Sequence, residues 1–437
     1  MMKDVVKELQ ERDLLSFSDD DEFLKELSKR PVTLYIGFDP TGPSLHCGSL
    51  LPVMGLAHFQ RCGHKPICLV GGGTGLIGDP SGKSEERVLL TVEKTQENAE
   101  KLKVQLSRFL DFDESKENCA VMANNFEWLG QLSLIDYLRD VGKFFRVNEM
   151  MHKESVKKRI DSEVGISLTE FCYQTLQAYD FYELNKRYGC ELQAGGSDQW
   201  GNIAAGIDLI RRMYAVEGSE SSESTYKPGH GVCFPLLLKA DGTKFGKTES
   251  GAVWLDPEMT SPFEFYQFWV RSDDRDVIKY LKYFTFLELD EIAKLEESLE
   301  SEPEKRMPHK RLAFEVTAIV HGEQEATNAK EASEKLYSGD LTGLSEKQLA
   351  TIFPDVPSTP MPRTRLDEGV ALVDVLAETN LCKSKGDARR QIKSGGVYLN
   401  DKRQTDTERI LTAADLASEK TMILRRGKKS YHLVRFE

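Results

Sequence analysis

The chain has 437 residues, of which 40% are hydrophobic and 30% charged, the balance of a globular protein long enough for two or three domains. No apolar run approaches the roughly 20 residues that a membrane helix needs, and Asp4, Glu8, Glu11 and Asp13 argue against a signal or transit peptide at the start. A net charge of −13 excludes a surface given over wholly to nucleic acid.

In chain order, residues 3–29 read as one or two charged amphipathic helices. Residues 32–38 (VTLYIGF) form a strand-like run that Asp39-Pro40-Thr41-Gly42-Pro43 breaks. The apolar residues of 50–59 suit a buried helix, and 66–71 (PICLVG) a second strand. Strand, helix and strand in so short a span make a βαβ unit and hence a parallel sheet. Residues 93–111 and 130–160 read as helical, and 169–188 as a long helix rich in aromatics. From 261 to about 336 the pattern is charged and helical, with little strand signal. Residues 353–364 (FPDVPSTPMPRT) hold four prolines and read as a semi-rigid linker. The remainder alternates helix and strand patterns. From Arg365 to Glu437 there are fifteen Lys/Arg against eleven Asp/Glu, a balance of +4 that leaves −17 for the first 364 residues. An acidic body with a basic tail suggests one end that handles an anionic polymer. The eight cysteines show neither a Cys-x-x-Cys pair nor metal-type spacing, and are expected as reduced thiols in the cytoplasm.

Gly73-Thr74-Gly75-Leu76-Ile77-Gly78 matches the dinucleotide fingerprint, but Asp79-Pro80-Ser81-Gly82 breaks at once the helix that should receive the pyrophosphate. No acidic strand end follows at the expected distance, so a nicotinamide oxidoreductase is a distant reading. Gly78 to Ser84 and Gly242 to Thr248 each fall one residue short of a phosphate loop; each is a surface turn or a phosphate contact through lysine. The segment from Asp39 to Leu50 lies at the carboxyl end of the first parallel strand, where open α/β sheets bind ligands. A histidine and a glycine at a helix N-terminus can offer a donor and bare N–H groups to phosphate.

His46-Cys47-Gly48-Ser49 resembles the HIGH signature of class I aminoacyl-tRNA synthetases, and Lys244-Phe245-Gly246-Lys247-Thr248 resembles their KMSKS loop. The runs YIGFDPT at 35–41, GLIGDPSGK at 75–83, YQTLQAYD at 173–180 and QAGGSDQWGN at 193–202 resemble the bacterial-type tyrosyl-tRNA synthetases. The run SKGDARRQIKSGGVYLN at 384–400 resembles the small RNA-binding domain that this family shares with a ribosomal protein. The resemblance covers nearly the whole chain.

It implies a Rossmann-like α/β catalytic domain with a parallel sheet over 1–255, an α-helical tRNA-binding domain over 256–345, a linker over 346–364 and a small α+β RNA-binding domain over 365–437. The implied activity is ATP-dependent activation of L-tyrosine followed by transfer to the 3′-terminal adenosine of tRNA(Tyr), by a cytoplasmic homodimer, with Mg2+ entering bound to ATP and no metal held by the protein. By the same resemblance Thr41, His46, Lys244, Lys247 and Thr248 meet the pyrophosphate, with Lys83 and Arg87 as further phosphate-side candidates. Tyr35 and Asp180 select the tyrosine hydroxyl. Asp79, Tyr173 and Gln177 hold the ammonium, and Gln199 is a neighbour of the substrate. Gly37, Asp39, Gly48, Ser49, Gly196 and Asp198 join His46, Lys244 and Lys247 around ATP. Lys383, Lys385, Arg389, Arg390 and Lys393 face tRNA, and 150–159 is either an acceptor-stem contact or a solvated helix. A site built to bond a hydroxyl rejects the analogue that lacks it, a principle for which tyrosyl-tRNA synthetases are themselves the reference example. Two positions depart from the family: Ser49 replaces the second histidine of HIGH, and Ile36 stands where some members carry a polar residue. Both imply altered ATP affinity. A tryptophanyl-tRNA synthetase and a non-catalytic RNA-binding relative are the alternatives.

Overall fold

The runs TLYIGF and KPICLV are apolar at almost every position, as strands covered on both faces must be. In the computed structural model, which describes residues 2–80, 90–161, 165–217, 227–243, 245–248, 251–338, 341–353, 356–427 and 430–437, they are β2 (Thr33–Phe38) and β3 (Lys65–Val70), paired in parallel from Thr33↔Lys65 to Phe38↔Val70. With β1 (Phe17–Ser18), β4 (Val121–Asn124), β5 (Leu192–Gly196) and β6 (His230–Phe234) they form a sheet of order β1-β6-β5-β2-β3-β4, parallel except for β1. The chain builds outward from β2 through β3 to β4, then crosses to β5 and β6 on the other side. The topological switch therefore falls between β2 and β5, whose carboxyl ends open a crevice there.

Helices cover this sheet: α1 (Val5–Glu11), α2 (Asp21–Leu27), α3 (Leu50–Arg61), α4 (Val92–Leu106), α5 (Leu168–Tyr188) and α6 (Trp200–Glu217). Helix α5 starts at Ser167, whose side chain accepts from Glu170 N, and stops at Gly189, which takes the left-handed conformation at φ 61°. The expected helix over 130–160 is instead a series of short turns and helical pieces, among them Tyr137–Val141 in π form. A short hairpin, β7 (Lys247–Thr248) with β8 (Gly251–Ala252), precedes a helical stretch of α7 (Pro262–Val270), α8 (Asp274–Phe284), α9 (Leu289–Ser301), α10 (Met307–His321) and α11 (Glu323–Ser338).

The chain divides into two compact units, Met1–Met259 with Ser272–Leu312, and Thr260–Arg271 with Ala313–Glu437. The division departs from a single helical domain over 256–345, since α8 and α9 belong with the sheet. Their ties there are specific. Phe245 lies 4.9 Å from the ring of Tyr280 and 5.6 Å from that of Phe284. Ala240 N donates to the Asp276 carboxylate at 2.9 Å. Buried Arg12 donates to the carbonyls of Lys282, Thr285 and Leu287.

The second unit carries a five-stranded sheet of order β12-β11-β14-β15-β9, formed by β9 (Ser358–Met361), β11 (Val397–Leu399), β12 (Lys402–Gln404), β14 (Thr421–Arg426) and β15 (Ser430–Phe436); a small pair, β10 (Val370–Ala371) with β13 (Ile410–Leu411), stands beside it. Strand β14 reads TMILRR, apolar in both directions, so both faces need cover. Met422, Leu424 and Val434 pack with Leu372 and Leu376 of α13 (Leu372–Glu378) and with Ile392 on one side. Ile423 and Leu433 pack with Leu341, Leu344, Leu349 and Phe353 on the other. The residues over 346–364 thus differ from a linker: they form α12 (Glu346–Ile352), which covers the second face, and β9, which pairs with β15. Proline suits β9 because it is an edge strand.

Candidate active site

Beyond the carboxyl ends of β2 and β5 lies a cavity of about 410 Å3. Its walls contain Tyr35, Gly37, Asp39, Thr41, Gly48, Ser49, Asp79, Tyr173, Gln177, Asp180, Gly196, Asp198 and Gln199, so all these sequence candidates meet in one place; Ile36 lines it too. The face of α5 does as its spacing requires: Tyr173, Gln177 and Asp180, four and three residues apart, all reach the same wall.

The deep end is built around Asp180, which is buried and accepts from Trp128 Nε1 at 2.7 Å and from Asn125 Nδ2 at 2.9 Å. Burial pushes its carboxyl up to about 8, against the pull of these two hydrogen bonds. Tyr35 is completely buried, and among the described residues its hydroxyl has no hydrogen-bond partner. Burial and the Asp180 carboxylate hold this phenol well above its ordinary pKa, so it is a neutral donor and acceptor at neutral pH. Towards the mouth, the Tyr173 hydroxyl donates to Asp39 Oδ2 at 2.8 Å, and burial with Asp39 and Asp79 nearby keeps that phenol protonated as well. Gln199 Nε2 donates to Asp79 at 2.7 Å, while Asn202 Nδ2 holds the side-chain oxygens of Gln177 and Gln199 at 3.0 and 3.3 Å.

Four of these supporting residues escaped the sequence reading. Thr74 donates to Asp39 at 2.7 Å and accepts from Asn125, whose Nδ2 also reaches Asp180, so Thr74 and Asn125 join the two carboxylates. Trp128 and Asn202 are the others. Thr74 sits inside the glycine-rich run that resembles a dinucleotide loop, and Asn125 follows the end of β4, a position at which parallel sheets often place site residues. There was a signal of location but none of role.

The His46 segment and the lysine-rich loop are brought together, although nearly 200 residues separate them. Cys47 N donates to Val253 O, Leu255 N to Leu45 O, and His46 bridges to Trp254, so the strand leaving the loop runs antiparallel beside the His46 turn. Gly246 sits at φ +84°, and a Cβ there would lie 2.6 Å from Gly48 N, so the two glycines let the backbones touch. His46 itself stands beside the cavity, its Nδ1 3.5 Å from Ser49 Oγ and its ring 6.0 Å from that of Trp254. Lys83, Arg87 and Lys244 lie outside the described residues, as do the side chains of Lys247 and Thr248. In the 150–159 segment, Arg159 is buried in an ion pair with Glu170 at 2.8 Å and Lys153 donates to Gly201 O, so neither is a solvated cation.

The model of class I tRNA synthetases for tryptophan and tyrosine matches residues 27–338, and that of the tyrosine–tRNA ligase C-terminal domain matches 348–434. The tyrosine–tRNA ligase of Roseiflexus castenholzii is 53% identical over 436 residues, 99% of this chain and 100% of the relative. The chain belongs to the tyrosyl-tRNA synthetases. Among solved structures, a C-terminally truncated mitochondrial tyrosyl-tRNA synthetase from Aspergillus nidulans is 33% identical with a TM-score of 0.67, over 76% of this chain and 94% of that one. A tryptophanyl-tRNA synthetase from Encephalitozoon cuniculi, at 14% identity, a TM-score of 0.51 and coverage of 74% and 87%, shares the fold alone.

In the synthetase's second unit, Ser384 caps α14 (Lys385–Lys393), and Ala388 and Ile392 anchor it in the core. This leaves Lys383, Lys385, Arg389, Arg390 and Lys393 exposed. Lys385 pairs with Asp374 at 3.0 Å and Arg390 with Asp387 at 3.4 Å. The sequence reading omitted Arg403, which donates to the carbonyls of Ser394 and Gly395 and so sits at the end of the same helix, and Arg425, whose guanidinium lies 3.7 Å over the Tyr398 ring. Pairing of β11 with β12 brings Arg403 to the helix end, which spacing along the chain cannot show, while Arg425 is engaged by Asp401 and Tyr398.

Proposed function

We propose that the chain activates L-tyrosine with ATP in this cavity and passes the tyrosyl group to the 3′-terminal adenosine of tRNA(Tyr). The observation that carries the choice of amino acid is the buried Tyr35 hydroxyl, which among the described residues lacks a partner and lies near Asp180, whose two oxygens accept from Asn125 and Trp128. Such a group is costly unless something fills its hydrogen bond. The phenol of tyrosine does so and phenylalanine does not.

The substrate ammonium meets Asp79, Tyr173 and Gln177, which Gln199 and Asn202 hold in place. Its carboxylate then attacks the α-phosphorus of ATP; a new P–O bond forms, and pyrophosphate leaves with the electrons of the bond that breaks. Gly37 and Gly48 leave the backbone bare for the phosphates, with Asp39 beside them, and Gly196 and Asp198 serve the ribose. Thr41 and His46 receive the pyrophosphate on one side, with Ser49 next to His46. Lys244, Lys247 and Thr248 close on the other, where lysine acts as a point charge on a flexible stem. Positioning and charge stabilisation carry such a reaction without a covalent enzyme intermediate. In the second step the terminal ribose hydroxyl attacks the tyrosyl carbonyl and AMP leaves. Magnesium would enter with ATP; among the described residues no cluster of three or more His, Cys, Asp or Glu side chains could hold a metal by itself.

We assign tRNA to the α14 face of the second unit and the enzyme to the cytoplasm. We also assign a homodimer, supported by Leu134, Ile135, Leu138, Val147 and Met151, large apolar side chains exposed within one short stretch. Amino-acid-dependent ATP–pyrophosphate exchange tests the central reading, with tyrosine, phenylalanine and tryptophan in parallel. Exchange with tyrosine alone is expected. Exchange with none would make the chain an RNA-binding relative, and a preference for tryptophan would overturn the role of Tyr35.

A further inference from the structure

Serine at the first position of a helix ordinarily turns its hydroxyl back to accept from the N–H groups of the first turn. Ser49 has no such role, because it ends the 3-10 turn Cys47–Ser49 that runs directly into α3. It has helical backbone angles, φ −88° and ψ −9°, and its side chain makes no capping hydrogen bond. Its Oγ lies instead 3.5 Å from His46 Nδ1. The turn that allows this is tight: Ser49 N donates to His46 O at 2.7 Å, which sets the two side chains on the same side. Gly48, between them, leaves room for the ring, since a Cβ there would lie 2.8 Å from Cε1 and 3.0 Å from Nδ1 of the imidazole and would displace it. The ring is thus enclosed by Gly48, Ser49 and the edge of Trp254.

We propose that Ser49 is the positioning residue for His46, holding the imidazole through Nδ1 so that Nε2 carries the proton and is presented to the leaving pyrophosphate. A hydroxyl can donate to Nδ1 or accept from it, and only the first leaves a donor at Nε2 of the neutral ring. Phosphate oxygens accept hydrogen bonds, so the nucleotide selects that same arrangement. Ser49 therefore acts on the reaction through His46, and the short side chain in place of the family's second histidine is suited to that distance. The inference rests on the reading of His46 as a pyrophosphate-side donor.

The test is a double-mutant cycle in pyrophosphate exchange by the full-length protein. Ser49→Ala and Ser49→Thr are made in the parent and in His46→Ala, with melting temperature and tyrosine affinity measured for each. Ser49→Ala is expected to lower kcat about fivefold, the effect of one hydrogen bond, with the KM for ATP nearly unchanged. In His46→Ala the same change should cost less than about twofold. Ser49→Thr, which keeps the hydroxyl, should restore most of the loss. An equal loss in both backgrounds, or a loss confined to the KM for ATP, would mean that Ser49 touches the nucleotide directly and would overturn the proposal. If His46→Ala itself left exchange intact, the fault would lie in the reading of His46.

Discussion

A phenol hydroxyl buried without a partner costs on the order of 1–3 kcal/mol, and among the described residues that of Tyr35, at the deep end of the cavity, has none. Tyr35→Phe is therefore expected to leave the ligand-free protein as stable as the parent or more so by up to about 1 kcal/mol. The same change should lower the preference for tyrosine over phenylalanine by roughly tenfold. Thermal unfolding without ligand and exchange with both amino acids read the two effects; a clear loss of stability would mean that the hydroxyl has a partner after all. Asp180 makes a separate prediction through pH. Its carboxyl is raised from 3.8 to about 8 in the fold, so between those values the folded protein holds a proton that the unfolded chain has released. Stability from this group is full below the unfolded value and falls as pH rises through the folded one. Asparagine does not titrate, and its amide meets one of the two donors badly, which fixes an offset but no slope. The melting temperature of Asp180→Asn minus that of the parent should thus climb between about pH 4 and 8; a flat difference would show that Asp180 is ionised throughout.

Elements built from local pattern were legible, and those built from distant pairing were not. Helix α5 was readable because a capping serine, a helical period and a terminal glycine agree along one stretch. The broken 134–160 region was not, since its short turns carry a helical composition in which Leu134, Ile135, Leu138, Val147 and Met151 stay exposed while Val141 and Met150 are buried. The contact of Gly246 with Gly48 depends on a β-bridge that no window of sequence contains. It also predicts a phenotype. Alanine at 246 would need a left-handed backbone and would press on Gly48 N, so the loop must shift. Gly246→Ala should lower kcat for tyrosine activation by at least about tenfold, with tyrosine affinity, measured by equilibrium fluorescence, unchanged. Unaltered kcat would detach the loop from the chemistry. The N-terminal helix is tied in by a buried cation: Arg12 pairs with Glu8 at 2.6 Å and closes the carbonyl end of α8. Arg12→Ala leaves the Glu8 charge without its buried partner and should cost about 3–5 kcal/mol in urea unfolding.

At the scale of the whole molecule, the order of catalytic, helical and basic segments was visible in composition, but the boundaries were set by which faces need cover. The proline run suggested a break near 353–364, yet β9 pairs with β15, and Leu349 and Phe353 cover Ile423 and Leu433. A truncation at 365 would strip Met361 and Leu349 of their partners and leave an apolar remnant. A cut after Ser338 removes every buried member of both cores together, leaving behind Leu336, which packs against the second. The protein ending there should exchange pyrophosphate within about twofold of the full chain, because every described residue of the tyrosine cavity lies before that point. Its charging of tRNA should fall by at least about tenfold, since the +4 balance over 365–437 is lost and the rest of the chain is acidic. The electrostatic origin adds a second criterion. Charging by the full chain should weaken with rising salt, and Arg389→Glu or Lys393→Glu should make that dependence shallower by about one unit of slope for each phosphate contact removed. If the truncated protein charged tRNA as well as the full chain does, the basic face of α14 would have no part in binding it; if exchange fell with charging, the small domain would be needed for the catalytic unit and not for RNA.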